Sequence, residues 1–217
     1  LDSAPIEEIT SELVDSLISN SDALQSLSAL RTKDAYLLEH SLNVGILLAS
    51  FGRSLGFDHN MLNRLMIGGI IHDIGKTQVN IDVLNKPAKL TNNEFEHMKQ
   101  HQVLSMPLLD SMPNLSQISR DVSLMHHEKL DGSGYPLGLK GDDISLVGRM
   151  SSIVDIYDAL TAVRVYKNGM CPAKAFKIMR TMVPNHLDGE LLTKFMFNIG
   201  LFPIGSLVEL SDGMAGL

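Results

Sequence analysis

Cysteine is almost absent from this chain, and Cys171 is its one example among 217 residues. A lone thiol cannot form an intrachain disulfide, which is typical of a protein in a reducing cytosol. Long hydrophobic runs are also missing. Stretches such as VGILLAS (44–50) fall well short of the roughly 20 apolar residues that span a membrane. We therefore predict a cytoplasmic location and no membrane segment within this sequence.

Positive charge is in deficit, because the formal net charge is −7. A general nucleic-acid binder would show a basic face, so the composition disfavours that class. An anionic ligand would have to be attracted by local positive charge rather than by the whole molecule. No basic-then-apolar signal peptide opens the sequence. Its first residue, Leu1, is not methionine, so we expect a piece of a longer chain whose other part could hold a sensor or a membrane segment.

Apolar residues recur at helical spacing along almost the whole sequence, which predicts an all-α fold. The first segment carries one apolar stripe, formed by Ile6, Ile9, Leu13, Leu17, Leu24 and Leu27. Further helices are predicted over residues 34–51, 61–74, 91 onward, 117–127, 144–163, 172 onward and 190–200. The helix of residues 61–74 is apolar nearly all round, so it should be buried.

Local signals mark several helix ends. Thr91 and Glu94 have the spacing of a capping box, and Pro172 suits the first turn of a helix. Gly200 should end the helix before it. Near the end of the sequence, SLVEL (206–210) alternates and is followed by the turn-forming SDG. This pattern predicts a short C-terminal β-hairpin or strand.

The most unusual feature of the composition is its eight histidines. Any one of them is more often a surface or core residue than a ligand. His72 and Asp73, however, end a helix that should otherwise be buried, where a carboxylate is costly unless it is paired or binds a metal. The alternative is that Asp73 bonds the backbone of its own turn. Gly75 then ends the helix, and Lys76 places an ammonium group just beyond it.

Two further pairs of polar residues raise the same question. Neighbours on a helix point about 100° apart, but at a helix end His126 and His127 could both reach one centre. The alternative is a surface pair. Asp155 and Asp158 lie in a strongly apolar helix. Burial is expected for Asp155, and a solvated helix face is the alternative.

The remaining candidates are His40 and His101, each a lone imidazole on a predicted helix. His97 lies one turn before His101 and could form a zinc-type pair with it. Nitrogen and oxygen donors without thiolates suit iron, manganese or zinc. Together, five histidines and two aspartates exceed the needs of one ion and fit two ions bridged by a carboxylate. Such a pair can ionise a water and hold the oxygens of a displacement at phosphorus.

Several separated motifs, in this order and spacing, resemble those of the HD-GYP family of metal-dependent cyclic di-GMP phosphodiesterases, part of the HD superfamily. They are HDIGK (72–76), His101, HHEKLDGSGYP (126–136) and DIYDALTAVRVYK (155–167). The resemblance implies an HD-superfamily helical bundle. It divides the chain into an N-terminal helical extension (1–30), a catalytic domain (31–195) and a C-terminal strand or hairpin tail (196–217). The extension could be a packing helix, a dimer helix or the end of a linker.

The resemblance also implies a metal shell. Asp73 would bridge two divalent ions, expected to be iron or manganese. One ion would be favoured by His40, His72 and Asp155, and the other by His101, His126 and His127. Some family members have a glutamate four residues before the first histidine, which supports a third metal. Here that position is Tyr36, and Glu39 faces elsewhere on the helix, so we expect two metals.

Substrate contacts follow from the same resemblance. Lys76 would meet the scissile phosphate and act with Asp73 in catalysis. Asp158 would orient a ligand or the basic pair. Cyclic di-GMP would be cut to linear pGpG, and in a second step to GMP, by a metal-bridged hydroxide. The remaining substrate contacts implied are Gly134, Tyr135, Pro136, Arg164 and Lys167.

Two other functions stay open at this stage. One is a non-catalytic regulator that binds cyclic di-GMP, or partner signalling domains through the Gly-Tyr-Pro loop. The other is an HD phosphohydrolase with a different nucleotide substrate. The amphipathic first segment also makes a homodimer an expectation.

Overall fold

The computed structural model describes residues 8–12, 14–15, 36–84, 86, 88–162, 169–200, 208–209 and 215–216. Within these ranges the chain is helical almost throughout, which confirms the predicted all-α fold. Residues 8–12 and 14–15 are helical. The helices that follow are α1 (Tyr36–Ser54), α2 (His59–Ile71), α3 (Ile81–Leu84), α4 (Asn92–Asp110), α5 (Gln117–Met125), α6 (Leu146–Thr161), α7 (Pro172–Arg180) and α8 (Gly189–Ile199).

The helix predicted over residues 61–74 ends earlier than expected. The α-helix stops at Ile71, His72 is its C-cap, and a 3₁₀ helix covers Ile74–Gln78. The tighter 3₁₀ geometry begins where the chain turns away from the core. A second short 3₁₀ helix covers Gly141–Asp143.

The predicted end signals of other helices are confirmed. The Thr91 side chain accepts a hydrogen bond from the backbone N–H of Glu94, and the Glu94 carboxylate accepts one from that of Thr91. This reciprocal pair satisfies two backbone donors that the first helical turn leaves unpaired. Pro172 lies in the first turn of α7. Gly200 ends α8 with a positive φ of 81°, which glycine adopts without steric cost.

The core lies between α1, α2, α5 and α6, and α7 and α8 cover one side of it. Three phenylalanines fill its centre: Phe51, Phe176 and Phe195. A close contact between α1 and α2 decides the position of the site. A Cβ on Gly69 would lie 2.6 Å from the Cα of Gly45, so the two backbones touch where no side chain intervenes. This approach lets histidines from both helices share one space.

The described part of the N-terminal extension contributes to the core. Thr10 and Val14 are fully buried, and Val14 packs against Ile46 and Met66. Ile9, which lies on the predicted apolar stripe, is 56% exposed. The buried face of this helix is thus set by its contact with α1 and α2, and not by the apolar spacing alone.

Two short strands lie in the C-terminal tail. β1 (Val208–Glu209) pairs antiparallel with β2 (Ala215–Gly216), with Val208 opposite Gly216. Among the described residues, no helix combines the length and apolar character required to cross a membrane. The domain limits after residues 30 and 195 stay predictions.

Candidate metal centre

The fold gathers all seven side chains of the predicted shell from five helices. His40 comes from α1, His72 and Asp73 follow α2, His101 lies on α4, His126 and His127 follow α5, and Asp155 lies on α6. Most of them are buried, although Asp155 keeps 13% of its side chain exposed. His59 and His97 are exposed, so the alternative pair of His97 with His101 does not form.

Asp73 lies at the centre of this cluster. Its side chain is common to two sets of residues whose donor atoms lie within 4.8 Å of one another. The first set adds His40 and His72. Asp73 Oδ2 lies 3.2 Å from Nε2 of His72 and 3.6 Å from Nε2 of His40. Asp155 adjoins this set, with its Oδ1 3.2 Å from Nε2 of His40.

The second set adds His101, His126 and His127 to Asp73. Asp73 Oδ1, the other carboxylate oxygen, lies 3.4 Å from Nε2 of His101 and 3.9 Å from Nε2 of His126. The two oxygens of Asp73 therefore face different sets of donors. The partition of these side chains between two ions stays a prediction.

Backbone carbonyls determine which ring nitrogens are available. In His72, His101 and His126, Nδ1 bonds the carbonyl oxygen of the residue three positions earlier, at 2.6, 2.7 and 2.8 Å. A carbonyl only accepts, so Nδ1 must carry the hydrogen. The lone pair of each neutral ring is then on Nε2, the atom that faces Asp73. Histidines that ligate a metal usually donate their other ring N–H to a carbonyl or carboxylate in this way.

His40 is held by a carboxylate. Its Nδ1 lies 2.6 Å from Oδ2 of Asp158, which is fully buried, and its Nε2 faces Asp155 and Asp73. Burial alone would lower the pKa of His40, but hydrogen bonds to Asp155 and Asp158 outweigh it and raise the pKa to about 9. Asp158 thus contacts the predicted ligand His40 at the ring nitrogen that faces away from Asp73.

In the second set the pKa values of the histidines shift in the opposite direction, downward. Burial lowers the pKa of His101 and His126, and it lowers the pKa of His127 to about 4. Burial would raise the pKa of Asp73, yet the neighbouring Lys76 ammonium and His72 hold it well below its usual range. Lys76 Nζ donates directly to Asp73 Oδ2. Near neutral pH the His101 set is therefore neutral imidazole around a carboxylate.

This contrast predicts a pH dependence of metal binding. In the ion-free protein His40 keeps its proton below about pH 9, and it must lose that proton before it can ligate. Affinity at the His40 set should therefore rise about tenfold per pH unit between about pH 6 and 8.5. Affinity at the His101 set should change less over this range, because burial lowers the pKa of its three imidazoles.

Manganese titrations across this pH range, followed by electron paramagnetic resonance, would measure both affinities. Asp158→Asn removes one of the two carboxylates that raise the pKa of His40, so its proton should be lost at lower pH. Equal pH slopes at both sites in the wild-type protein would contradict the prediction.

The Gly-Tyr-Pro loop lies directly against the second set. The rings of Tyr135 and His127 stack with their centroids 4.6 Å apart, and Tyr135 N–H donates to the His127 carbonyl. A Cβ on Gly134 would lie 2.5 Å from the Cα of Glu128, so only glycine permits this approach. Gly134 and Tyr135 therefore hold the loop against the second set of histidines.

Two polar residues were given no role from the sequence. Glu128 is buried, and its two carboxylate oxygens accept hydrogen bonds from the backbone N–H groups of Leu137 and Leu139, at 2.7 and 3.0 Å. Gln102 is fully buried beside His101. The position of Glu128 directly after the paired histidines could have indicated a role near the site. Nothing in the sequence distinguished Gln102 from other helical glutamines. Arg164 and Lys167 lie outside the described residues.

Buried atoms without partners test whether a metal fits this site. In the part of the chain that the structure describes, Asp73 Oδ1 and Gln102 Oε1 are buried and accept no hydrogen bond. An oxygen of this kind is costly unless something satisfies it. Asp73 Oδ1 faces imidazole lone pairs, which cannot donate to it. A cation between Asp73 Oδ1 and the imidazole nitrogens would accept electron pairs from all of them. These residues can therefore hold divalent ions.

Comparison with known proteins indicates the family of this chain. The HD domain family model matches residues 13–191. A cyclic di-GMP phosphodiesterase of Pseudomonas aeruginosa is 36% identical over 217 residues, which is 100% of this chain and 52% of that protein. A 3′3′-cGAMP-specific phosphodiesterase of Vibrio cholerae is 32% identical over 177 residues, 81% of this chain and 41% of that protein. The chain thus spans about half the length of these relatives or less.

A solved structure has the same fold. It is Bd1817, an HD-GYP-type protein of Bdellovibrio bacteriovorus, with a TM-score of 0.73 and 18% identity. The likeness covers 87% of this chain and 60% of that one. The fold, the His/Asp cluster and the matched model define an HD-domain protein. This chain belongs to the HD domain family.

Proposed function

We propose that this chain hydrolyses cyclic di-GMP to linear pGpG, with GMP as the product of a second cut, at a site that holds two iron or manganese ions. The observation that carries the proposal is the position of Asp73. Its two oxygens face separate sets of buried imidazoles beside the Gly-Tyr-Pro loop. Several relatives are named cyclic di-GMP phosphodiesterases, among them the Pseudomonas protein that matches the whole chain.

Two divalent ions at this site would supply an activated water and a counter-charge for the phosphate oxygens. The metal shell would be His40, His72, Asp155 and the bridging Asp73 on one side, and His101, His126 and His127 on the other. The contact of Asp158 with His40 would keep the Nε2 of that ring directed at the site.

In this proposal Lys76 acts on the substrate. Its Nζ lies against Asp73, and 21% of the Lys76 side chain is exposed. The ammonium group can therefore reach a phosphate at the mouth of the site. An ammonium there would stabilise the charge that develops on the phosphate oxygens. Tyr135 presents an aromatic ring over His127, where a guanine base could stack. Gly134 and Pro136 shape that loop, and Arg164 and Lys167 are proposed as further phosphate and base contacts.

Substitution of Lys76 by methionine should lower kcat about 100-fold, because a donor aimed at developing charge is lost. Both metals should remain bound, since no predicted ligand changes. Steady-state kinetics and metal analysis would measure the two effects. Lys86→Met is the matched control, because Lys86 pairs with Glu94 away from the cluster. Loss of metal together with activity would contradict a role on the phosphate.

The proposal is tested with protein purified without oxygen and loaded separately with iron or manganese. Cyclic di-GMP and 3′3′-cGAMP are supplied in parallel, and the products are separated by chromatography. Linear pGpG or GMP supports the proposal, and preferential cutting of 3′3′-cGAMP would assign the specificity of the named Vibrio relatives instead. No product from a protein with two bound ions would favour a regulator or another nucleotide substrate.

The proposal also covers partners and location. The loop could dock partner signalling domains, and the chain could act as a homodimer. A cytosolic location stays a prediction from the single Cys171.

A further inference from the structure

Gln102 occupies an unusual position next to two predicted ligands. Its side chain is fully buried, and its Nε2 lies 2.9 Å from Nε2 of His101 and 3.3 Å from Nε2 of His126. Its other terminal atom, Oε1, has no hydrogen-bond partner among the described residues. A buried amide oxygen without a partner needs an explanation.

The observed orientation suits the ion-free protein. Both rings bond backbone carbonyls through Nδ1, so both Nε2 atoms carry lone pairs. The amide of Gln102 can donate its two hydrogens to these lone pairs. An ion that occupies the lone pairs removes both acceptors. It would also leave the positive end of the amide dipole beside a cation, which is unfavourable.

Rotation of the amide by about 180° resolves this conflict, since it exchanges the oxygen and the nitrogen, two atoms of nearly the same size. The oxygen would then lie about 3 Å from both ring nitrogens. Adjacent ligands at right angles on an ion with bonds of about 2.1 Å are about 3.0 Å apart. The spacing of Gln102 from His101 and His126 is therefore that of neighbouring positions in one coordination shell.

We propose that Gln102 is a further ligand of the ion held by Asp73, His101, His126 and His127, and that it binds through its amide oxygen. The inference rests on the proposed metal site and deepens it. The two ions would then differ, because this one would have five protein donors and few exchangeable positions. A neutral oxygen donor also raises the share of oxygen among the ligand atoms of this set. This favours manganese or iron over zinc.

The test compares metal binding in Gln102→Leu, Gln102→Glu and the wild-type protein. Gln100→Leu is the matched control, because Gln100 is exposed on the same helix. Titration with manganese gives the two affinities. The absorption of bound Co²⁺ reports coordination number, because its visible bands strengthen as ligands are lost.

In Gln102→Leu we expect one of the two ions to bind about 10- to 100-fold more weakly and the Co²⁺ bands to strengthen. Gln102→Glu should bind at least as tightly as wild type with an unchanged band intensity, since a carboxylate oxygen takes the same position. Gln100→Leu should match wild type.

Unchanged affinity and unchanged Co²⁺ bands in Gln102→Leu would overturn the inference while leaving the two-metal site intact. If Gln102→Leu does not fold, weaker binding in Gln102→Glu would overturn it, because the oxygen donor is retained there. Failure of the wild-type protein to bind two ions would instead overturn the proposed function. These results are distinguishable because each concerns a different protein in the series.

Discussion

Replacement of Asp73 by alanine is expected to abolish binding of both ions and to reduce hydrolysis of cyclic di-GMP by roughly 10³-fold or more. The reason is geometric. The two oxygens of Asp73 face different sets of imidazoles, so one substitution would remove a ligand from each of the two proposed ions. No other residue in the described part of the chain belongs to both sets.

The ion-free Asp73→Ala protein should remain folded. Oδ1 of Asp73 is buried without a hydrogen-bond partner in the described residues, and Lys76, its ion-pair partner, can turn towards water. Thermal unfolding with and without manganese separates binding from folding. An ion at about 100 times its Kd stabilises the wild-type protein by about 2.7 kcal/mol, and this gain should vanish in the variant.

Asp110→Ala is the matched control for this experiment. Asp110 is an exposed carboxylate that pairs with Arg120 on the surface, so its loss should leave both ions and the activity unchanged. Retained hydrolysis in Asp73→Ala would exclude the two-metal mechanism. Loss of activity with both ions still bound would instead indicate that Asp73 acts on the substrate alone.

The second large effect is expected at Glu128. Glu128→Gln preserves the shape of the side chain but turns one acceptor into a donor. One of the two loop N–H groups, that of Leu137 or that of Leu139, must then face an NH₂ group. Hydrogen bonds to a charged acceptor contribute about 1.5–3 kcal/mol each, so the free energy of unfolding should fall by about 2 kcal/mol. For a chain of this size that is a loss of roughly 4–8 °C in Tm.

Function should change together with stability in Glu128→Gln. The carboxylate holds the loop whose Tyr135 stacks on His127, so a loosened loop should raise KM more than it lowers kcat. Denaturant unfolding and steady-state kinetics measure the two effects. Glu190→Gln, an exposed glutamate paired with Lys194, should cost less than about 1 kcal/mol. A Glu128→Gln protein as stable as wild type would show that the carboxylate only fills space.

Helices were predictable because their signals are local. The capping box of Thr91 and Glu94, Pro172 in a first turn and Gly200 after a last turn each depend on neighbours within a few residues. The end of α2 was placed three residues too late, because apolar periodicity continues through Ile74 while the backbone does not. The exposure of Ile9 was not predictable for a related reason, since it depends on where the extension meets α1 and α2.

The candidate ligands were also accessible from the sequence, because imidazole and carboxylate groups inside apolar helices need a reason to be there. Sequence spacing alone could not show which nitrogen of each ring faces the centre. That follows from backbone carbonyls one turn earlier in each helix and from Asp158, 118 residues away from His40. Nor could it show that Glu128 holds the loop or that Gln102 meets two ligands.

The sequence by itself determined the helical fold class, most helix ends and the chemical types of the site, because each rests on residue identity and short-range spacing. Only the tertiary structure decided how these groups share space. The glycine contact between α1 and α2 brings His40 to His72, and the separate facing of the two Asp73 oxygens divides the ligands into two sets. Such facts depend on atoms far apart in the chain, whose distances are set by packing of the whole core.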